Sequence, residues 1–290
     1  MNLNCTVGKV HIYEIPTWVS LLMKHSLPIS PQFYLTGRQP CPYVEGVFEK
    51  KLFTTLDGQE AQSLNDSLSK QGFRRSQNII YRPNCQNCTQ CRSVRILVEN
   101  YSFSKSEKRV LSRNRNIKSY QCAPLATEDQ YELFSKYLNQ RHSGGGMSEM
   151  DSFEFSSMIE ESNVHTKLYE YYDRNDKLIA VSITDIISDG LSMVYSFFDV
   201  DFPKKSLGKF MILDHIRIAK EIGLKHLYLG YLIEDSPKMR YKAQFSPLEY
   251  FANGKWQIYG ETSKNESENL SEFVARLNPI LLPDSYKDLD

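Results

Sequence analysis

Three cysteines with C-x-x-C-x-x-C spacing, over residues 85–91, directly precede a segment rich in cationic and hydroxyl side chains. Their spacing is short enough for three thiolates to converge on one soft metal ion, which would tie this part of the fold together. Residues 92–118 then carry eight lysines and arginines against two glutamates, in a chain whose formal net charge is zero. This local excess of positive charge indicates an anion-binding strip, with phosphate as the first candidate ligand. The alternative interpretation is a solvated surface helix beside three buried thiols.

The length and composition of the chain are those of an ordinary globular protein. Its 290 residues suffice for one large or two modest domains, and its apolar and charged fractions are average. No apolar run approaches the length needed to span a membrane, so we expect no membrane partner. The first residues lack the basic, apolar and small-residue parts of a secretory signal. Six cysteines in such a chain predict a cytoplasmic location, with free thiols or a metal site rather than disulfides.

Apolar periodicity and turn residues indicate how the chain is organised. Thr127 and Gln130 have the spacing of a capping box, which marks the start of a helix. We predict helices over residues 60–71, 106–117, 127–139, 153–161 and 207–222, and strands over residues 92–98, 167–172, 178–187, 191–198 and 226–232.

The second half of the chain is therefore a meander of three antiparallel strands, a turn, a long helix and a further strand. This order resembles the GNAT acyltransferase fold, in which a helix N-terminus beside a splayed strand pair receives a phosphate-bearing acyl donor. We predict an α+β fold class, with a GNAT-like C-terminal half and a smaller mixed N-terminal domain that bears the cysteine cluster. The predicted domains are residues 1–118 and 119–257, followed by a polar tail over residues 258–290.

The turn before the predicted long helix, residues 201–208, argues against coenzyme A as the acyl donor. The acetyl-CoA signature contains glutamine or arginine followed by two spaced glycines, whereas this turn has only Gly208. A small-molecule N-acyltransferase that uses coenzyme A is therefore not the preferred function.

Ordered motifs from about residue 10 to about residue 257 resemble the aminoacyl-tRNA–protein transferases of the N-end rule pathway. The similarity is greatest to the bacterial branch, the aspartate/glutamate leucyltransferases. The residues that carry it are Pro40-Cys41-Pro42-Tyr43, Lys51-Leu52-Phe53-Thr54, Tyr81-Arg82-Pro83, Cys85, Cys88, Cys91, Arg95, the run from Phe103 to Asn114, Arg141-His142, Ser196-Phe197-Phe198-Asp199, Ser206-Leu207-Gly208, Tyr228-Leu229-Gly230-Tyr231, and Ser236 to Lys242 with Phe245, Pro247, Leu248 and Glu249.

The resemblance implies transfer of an amino acid from its charged tRNA to the N-terminal amine of a protein that begins with Asp or Glu. The modified terminus then marks that protein for degradation. We expect leucyl-tRNA to be the donor. An arginyl donor is the alternative, because relatives of this architecture use both.

The cysteines could hold a metal centre if the resemblance extends that far. Eukaryotic arginyl relatives carry a C-x-x-C pair near the start, whereas here Cys41 is followed three residues later by Val44. Cys41, Cys85, Cys88 and Cys91 could still supply four ligands to an iron–sulfur cluster or to zinc. The alternative is a set of packed, reduced thiols, and the transfer itself requires no cofactor.

The acceptor carries a carboxylate side chain, so we expect its pocket to present arginine, which binds a carboxylate through two parallel hydrogen bonds. The candidates are Arg82, Arg92, Arg95 and Arg141, each of which could instead pair with a structural carboxylate. Arg82 and Arg95 flank the cysteine cluster, and we predict that this half of the molecule binds the acceptor.

Two residues near the end of the third meander strand are candidates for catalysis. Aminoacyl-tRNA is an activated ester, so the enzyme needs to orient the amine, move a proton and stabilise the oxyanion. Asp199 could orient the acceptor ammonium or relay its proton, and the alternative is a turn or capping aspartate. Tyr195 could donate a proton to the leaving ribose oxygen, and the alternative is a packed core tyrosine.

The candidate tRNA-binding residues are cations, with one aromatic side chain on which the terminal adenine could stack. They are Lys105, Lys108, Arg109 and Arg113 in the basic helix, and Lys238, Arg240, Tyr241 and Lys242 after the last predicted strand. A non-catalytic RNA-binding protein with a zinc knuckle would also explain the basic segment. It would leave the GNAT-like half without a role, and the second ligand pair of such a knuckle is absent from the sequence.

Overall fold

The computed structural model describes residues 31–86, 88–141 and 149–260 of the chain. From Gln32 onward these residues belong to one compact unit. None of the helices within these ranges is long and apolar enough to cross a membrane. Predictions that concern residues 1–30 and 261–290, and His142 of the resemblance, lie outside the described residues.

The described residues form five α-helices and fourteen strands, several of them very short. The helices are α1 (Ala61–Ser69), α2 (Lys105–Arg113), α3 (Glu128–Arg141), α4 (Ser152–Glu160) and α5 (Leu207–Glu221). The strands are β1 (Tyr34–Leu35), β2 (Gln39–Pro40), β3 (Phe48–Glu49), β4 (Lys51–Thr55), β5 (Arg74–Ser76), β6 (Ile79–Pro83), β7 (Arg92–Leu97), β8 (Lys118–Cys122), β9 (Thr166–Tyr172), β10 (Leu178–Ile187), β11 (Gly190–Phe198), β12 (His226–Leu232), β13 (Leu248–Ala252) and β14 (Lys255–Ile258).

Eight strands form the main sheet, in the order β14-β13-β7-β12-β11-β10-β9-β8. Strands β8 to β11 are an antiparallel meander, and β12 pairs with β11 in parallel after the crossover through α5. The central strand β10 is buried along almost its whole length, because α5 packs on one face of the sheet while α3 and α4 pack on the other. The predicted α+β class and the GNAT-like order of elements are confirmed.

A second sheet, β1-β4-β6-β5, packs with α1 around a small core of its own. A buried ion pair joins the two sheets, since Arg75 on β5 donates to both carboxylate oxygens of Asp185 on β10, at 2.6 and 2.7 Å. Arg75 also donates to the Thr166 hydroxyl at 3.1 Å and to the Gln77 carbonyl at 2.9 Å. Every nitrogen of this guanidinium therefore has a partner within the fold.

Two sequence predictions differ from the structure at the same place. The sequence predicts a basic helix that runs to residue 117, but α2 ends at Arg113 and residues 118–122 form strand β8. The helix ends because Asn114 leaves the helical conformation, and its side-chain amide donates to the carbonyls of Val110 and Lys205 at 2.9 and 2.8 Å. Strand β7 lies inside the main sheet, so residues on both sides of the predicted boundary at 118 build one layer. The capping box at the start of α3 is confirmed, because the backbone amides of Thr127 and Gln130 each donate to the other side chain.

Candidate functional site

Strands β11 and β12 separate partway along their length. They pair in parallel from Gly190 to Ser192 on β11 and from His226 to Tyr228 on β12. The pairing of β12 with β7 then shifts register between Tyr228 and Gly230, and Gly230 has a φ of 77°, in the left-handed region that favours glycine. A gap between two central strands therefore opens in the middle of the main sheet.

The guanidinium of Arg74, carried by β5 of the smaller sheet, enters this gap. Its Nη2 donates to the backbone carbonyls of Met193 and Val194 on β11, at 2.9 and 3.1 Å. A side chain at Gly230 would place its Cβ inside van der Waals contact with the guanidinium, so glycine is what admits the arginine here. The Nη1 atom is buried and has no hydrogen-bond partner among the described residues.

A buried lysine, Lys242, lies beside Arg74. Lys242 is buried, its Nζ donates to the Tyr231 carbonyl at 2.7 Å, and the Met239 sulfur is 3.9 Å away. Burial lowers the pKa of Lys242 to about 7, with the positive charge of Arg74 acting in the same direction. The sequence predicts that Lys242 contacts tRNA phosphates, but its buried position does not suit contact with a polynucleotide backbone.

Two tyrosines, Tyr43 and Tyr241, feel the charge of Arg74. Tyr43 and Tyr241 are 42% and 39% exposed as residues, and desolvation of their hydroxyl groups raises the pKa of each to about 12. Arg74 acts on both hydroxyl groups in the opposite direction, because its positive charge favours the phenolate. Two partly exposed tyrosines therefore lie within electrostatic range of Arg74.

Two of the four predicted acceptor arginines lie near this cluster. Arg82 and Arg74 both act to lower the pKa of Tyr231, which burial raises, and Arg141 acts in the same way on Tyr241. Each of Arg82 and Arg141 lies 5.4 Å from the centroid of a phenylalanine ring. The structure therefore brings Arg82 and Arg141 to the region around Arg74.

The other two predicted acceptor arginines are held by carboxylates. Arg95 donates to Glu249 at 2.7 Å and lies 4.3 Å from the Trp256 ring centroid. Arg92 donates to Glu234 at 3.4 Å. Acceptor binding by Arg95 and Arg92 stays a prediction that this geometry does not favour, because an arginine already paired has fewer donors for a ligand.

Asp199 lies at the end of β11, as predicted, but two lysines engage it. It is 2% exposed, and its carboxylate accepts from Lys136 at 2.7 Å and from Lys177 at 2.9 Å. Burial acts to raise the pKa of Asp199, but the two lysine hydrogen bonds outweigh it and hold the pKa below its usual value. A carboxylate in this state is a weak base, so the geometry favours an anchoring role for it.

Tyr195 lies on β11, next to the gap, and packs against the rings of Phe134 and Phe197. Burial raises its pKa well above the ordinary value of a tyrosine. The phenol therefore keeps its proton at neutral pH, so it does not act as a base, and it can donate a hydrogen bond or a proton.

The predicted basic strip is an exposed surface of α2. Lys105, Lys108, Arg109 and Arg113 are all exposed. The buried Glu107 completes a capping box with Ser104 and accepts from the Tyr101 hydroxyl at 2.8 Å, so it does not neutralise the exposed charges. This helix therefore presents four cations to solvent.

The exposed cations continue next to the start of α5. Arg113 donates to the Lys204 carbonyl, and the Lys205 ammonium donates to the Arg113 carbonyl at 3.1 Å. A cavity of about 640 Å³ lies against Arg113 and residues 201–205. On another part of the surface Lys238 and Arg240 are exposed, and Lys238 donates to the Arg141 carbonyl at 3.4 Å. These placements suit contact with an extended polyanion.

Cys41, Cys85, Cys88 and Cys91 lie near one another as free, half-buried thiols. Burial raises the pKa of Cys91 to about 12, and the other three cysteines add to this shift. The donor set has the right chemistry for zinc or an iron–sulfur cluster. However, no three Cys, His, Asp or Glu side chains are placed to hold a metal ion within the described ranges. This arrangement does not fit the group, and the metal site stays a prediction.

Sequence reasoning missed Arg74. The available signal was the tandem Arg74-Arg75 at the start of a short strand, because neighbouring side chains in a strand point to opposite faces. Arg75 faces the carboxylate of Asp185, and Arg74 consequently faces the gap.

Two family models match most of the described chain. The model for the N terminus of arginine-tRNA-protein transferase matches residues 39–109, and the model for its C terminus matches residues 129–252. The gap is built from both matched segments, since Arg74 lies in the first and Gly230 in the second.

Curated relatives resemble the chain over nearly their whole length. An aspartate/glutamate leucyltransferase from Dinoroseobacter shibae is 50% identical over 280 residues, which cover 91% of this chain and 97% of that protein. A protein of the same name from Cereibacter sphaeroides is 50% identical over 268 residues, covering 88% and 96%. Among solved structures, L-PGS from Bacillus licheniformis matches with a TM-score of 0.39 and 9% identity, over 62% of this chain and 52% of that one. The structural likeness is too distant to carry an argument about function.

Proposed function

The chain belongs to the arginine-tRNA-protein transferase family, and we propose that it transfers leucine from leucyl-tRNA to the N-terminal Asp or Glu of acceptor proteins. The observation that carries this is the 50% identity to an aspartate/glutamate leucyltransferase, which extends over 91% of this chain and 97% of the relative. The product terminus marks the acceptor for N-end rule degradation. Charged tRNA and such acceptors meet in the cytoplasm, where we place the protein.

The distribution of charge supports this assignment of substrates. The exposed cations of α2, together with Lys204, Lys238 and Arg240, suit the phosphates of tRNA, which form an extended polyanion. The buried Nη1 of Arg74 and the buried Lys242 suit a small anionic group that leaves solvent. The two kinds of site correspond to the two substrates, a nucleic acid and an acidic protein terminus.

The chemistry requires little of the enzyme beyond positioning. The acceptor amine, in its neutral form, attacks the ester carbonyl. A C–N bond forms, and the C–O bond to the ribose breaks. The proton that the amine loses balances the proton that the ribose oxygen gains. Tyr195, which keeps its proton, can donate to that oxygen, while Asp199 and its two lysines anchor the end of β11. These roles for Tyr195 and Asp199 are part of the proposal.

The test is transfer to synthetic peptides. The purified protein is incubated with Asp- and Glu-leading peptides and with tRNA charged by leucine or by arginine, and the products are weighed by mass spectrometry. We expect one added leucine and no reaction with Lys- or Ala-leading peptides. A cationic pocket repels the lysine side chain, and alanine offers it no negative charge to bind. Acylation from a coenzyme A thioester without tRNA would overturn the proposal.

Arginine transfer is the second candidate, because the matching family models carry the description of an arginine-tRNA-protein transferase. The same experiment separates the two, since each pool of charged tRNA adds a residue of different mass. Added arginine would correct the donor and leave the acceptor assignment unchanged.

A further inference from the structure

The Nη1 atom of Arg74 is a buried donor that nothing in the described fold uses. Its sister Nη2 is fixed by two carbonyls of β11, so the guanidinium cannot easily turn to find another partner. A buried N–H group without an acceptor costs free energy, and a fold normally satisfies such groups. The unpaired Nη1 of Arg74, at a gap in the central sheet, is therefore available to donate a hydrogen bond to a ligand.

The charge around Arg74 indicates what kind of ligand this is. Arg75, the next residue, has the buried carboxylate of Asp185 as its partner. Arg74 and the neighbouring Lys242 have no carboxylate within ion-pair distance in the part of the chain that the structure describes. A partly buried arginine whose Nη1 is shielded from solvent, beside a buried lysine, with no counterion for either, favours a small anion from outside the fold.

We propose that Arg74 binds the side-chain carboxylate of the acceptor's N-terminal Asp or Glu and thereby sets acceptor specificity. The assignment rests on the proposed transferase function. The donor ester is an unsuitable occupant, because its own ammonium group is positive. The tRNA phosphates are also unsuitable, because exposed cations elsewhere can reach them while Nη1 is buried. A carboxylate held here leaves the amine of the same residue a short chain of carbon atoms away, beside the gap.

Gly230 provides a way to move Arg74 without mutating it. A Cβ at position 230 would overlap the far end of the Arg74 side chain, so Gly230→Ala should push the guanidinium out of the gap. Gly223 has a φ of 74°, close to the 77° of Gly230, but no heavy atom lies within 4 Å of the point that a Cβ would occupy there. Gly223→Ala therefore introduces the same backbone strain without displacing anything, and it is the matched control.

The experiment measures kcat/KM for an Asp-leading and an Asn-leading peptide of otherwise identical sequence, with leucyl-tRNA as donor. The two peptides differ only in the charge of the first side chain. We expect Arg74→Gln and Gly230→Ala to lower kcat/KM for the Asp peptide by about ten- to a hundredfold, the effect of losing one charged hydrogen bond. The ratio of the Asp to the Asn peptide should fall by a similar factor. The KM for leucyl-tRNA should change little, and Gly223→Ala should resemble the wild type.

The possible results separate the proposed transferase function from the assignment of Arg74. If the wild-type protein transfers nothing to the Asp peptide, the proposed function fails. If the wild type is active but both variants keep its Asp-to-Asn ratio, the function survives and the assignment of Arg74 is wrong. A loss of kcat with an unchanged ratio would place Arg74 at the oxyanion instead and would also overturn the proposal. If Arg74→Gln does not fold, as judged by thermal melting, Arg74→Lys and Gly230→Ala decide the question by the same ratio.

Discussion

The two faces of strand β5 each carry one arginine, and the two arginines differ in whether the fold satisfies all of their hydrogen-bond donors. On one face, Arg75 meets Asp185, and every nitrogen of its guanidinium has a partner. On the other face, Arg74 enters the gap between β11 and β12, where its Nη1 has no partner among the described residues, next to the buried Lys242. A completed network holds two sheets together, whereas an incomplete one keeps binding capacity for a substrate. Two adjacent residues of the same type can therefore serve stability and recognition separately.

The largest expected effect is on the completed region. Arg75→Met leaves the buried carboxylate of Asp185 without its counterion, and we expect the free energy of unfolding to fall by about 3–5 kcal/mol. Urea denaturation measures this change. Arg74→Met should lower the same quantity by about 1 kcal/mol, since only hydrogen bonds to two carbonyls are lost.

The double variant Arg75→Met with Asp185→Leu checks the cause. Removing both charges leaves no unpaired ion, so it should recover much of the stability that Arg75→Met loses. Equal destabilisation by Arg74→Met and Arg75→Met would contradict the distinction between the two faces.

The next effect concerns the buried amine of the incomplete region and its dependence on pH. The pKa of Lys242 is about 7 in the folded protein and 10.5 ordinarily, so between these values the unfolded chain binds a proton that the folded chain does not. The destabilisation caused by Lys242 is therefore complete below pH 7, and it disappears as the pH rises above 10.5. Lys242→Met should stabilise the protein relative to wild type by on the order of 2 kcal/mol more at about pH 6.5 than at about pH 9.

Thermal melting of both proteins at the two pH values tests the sign. Lys238→Met is the control, because Lys238 is exposed and lies in the same segment. A stability difference that is equal at both pH values would mean that Lys242 does not titrate in this range.

A smaller effect separates the exposed cations from the buried ones. Lys108→Ala with Arg109→Ala removes two charges from the exposed face of α2, and we expect weaker binding of leucyl-tRNA with a smaller dependence on salt. The slope of log K against log salt should decrease by about 1–2, as counterion release predicts for two phosphate contacts. Arg74→Gln should leave this slope unchanged. An unaltered slope in the α2 variant would remove this helix from the tRNA surface.

The smallest effect is expected at the cysteines. We propose that Cys41, Cys85, Cys88 and Cys91 are packed thiols, so Cys88→Ala should change the free energy of unfolding by about 1 kcal/mol or less. Metal analysis of anaerobically purified protein checks this. Stoichiometric zinc, or iron with sulfide, lost together with stability in Cys88→Ala, would show that a metal centre exists.

Much of the fold can be predicted from the sequence, because the strands and helices of the second half are strongly periodic. The strands predicted over residues 167–172, 178–187 and 191–198 lie within a residue of their observed bounds. Two capping residues, Thr127 and Gln130, predict the start of α3. These features depend on local propensity and on which face of an element is apolar, and a sequence carries both kinds of information directly.

The sequence also determined the family, since its motifs occur in order over most of the chain, and it determined that cations cluster in residues 105–113. Only the tertiary structure decided which cations are exposed and which are buried. It placed Lys242 inside the protein and paired Arg95 with Glu249. It also put Arg74 into the gap beside Met193, which lies 119 residues further along the chain. A charged side chain looks the same in a sequence whether its counterion is a distant residue, solvent or a substrate. The difference arises from long-range pairing and burial, which depend on how strands far apart in the chain come together.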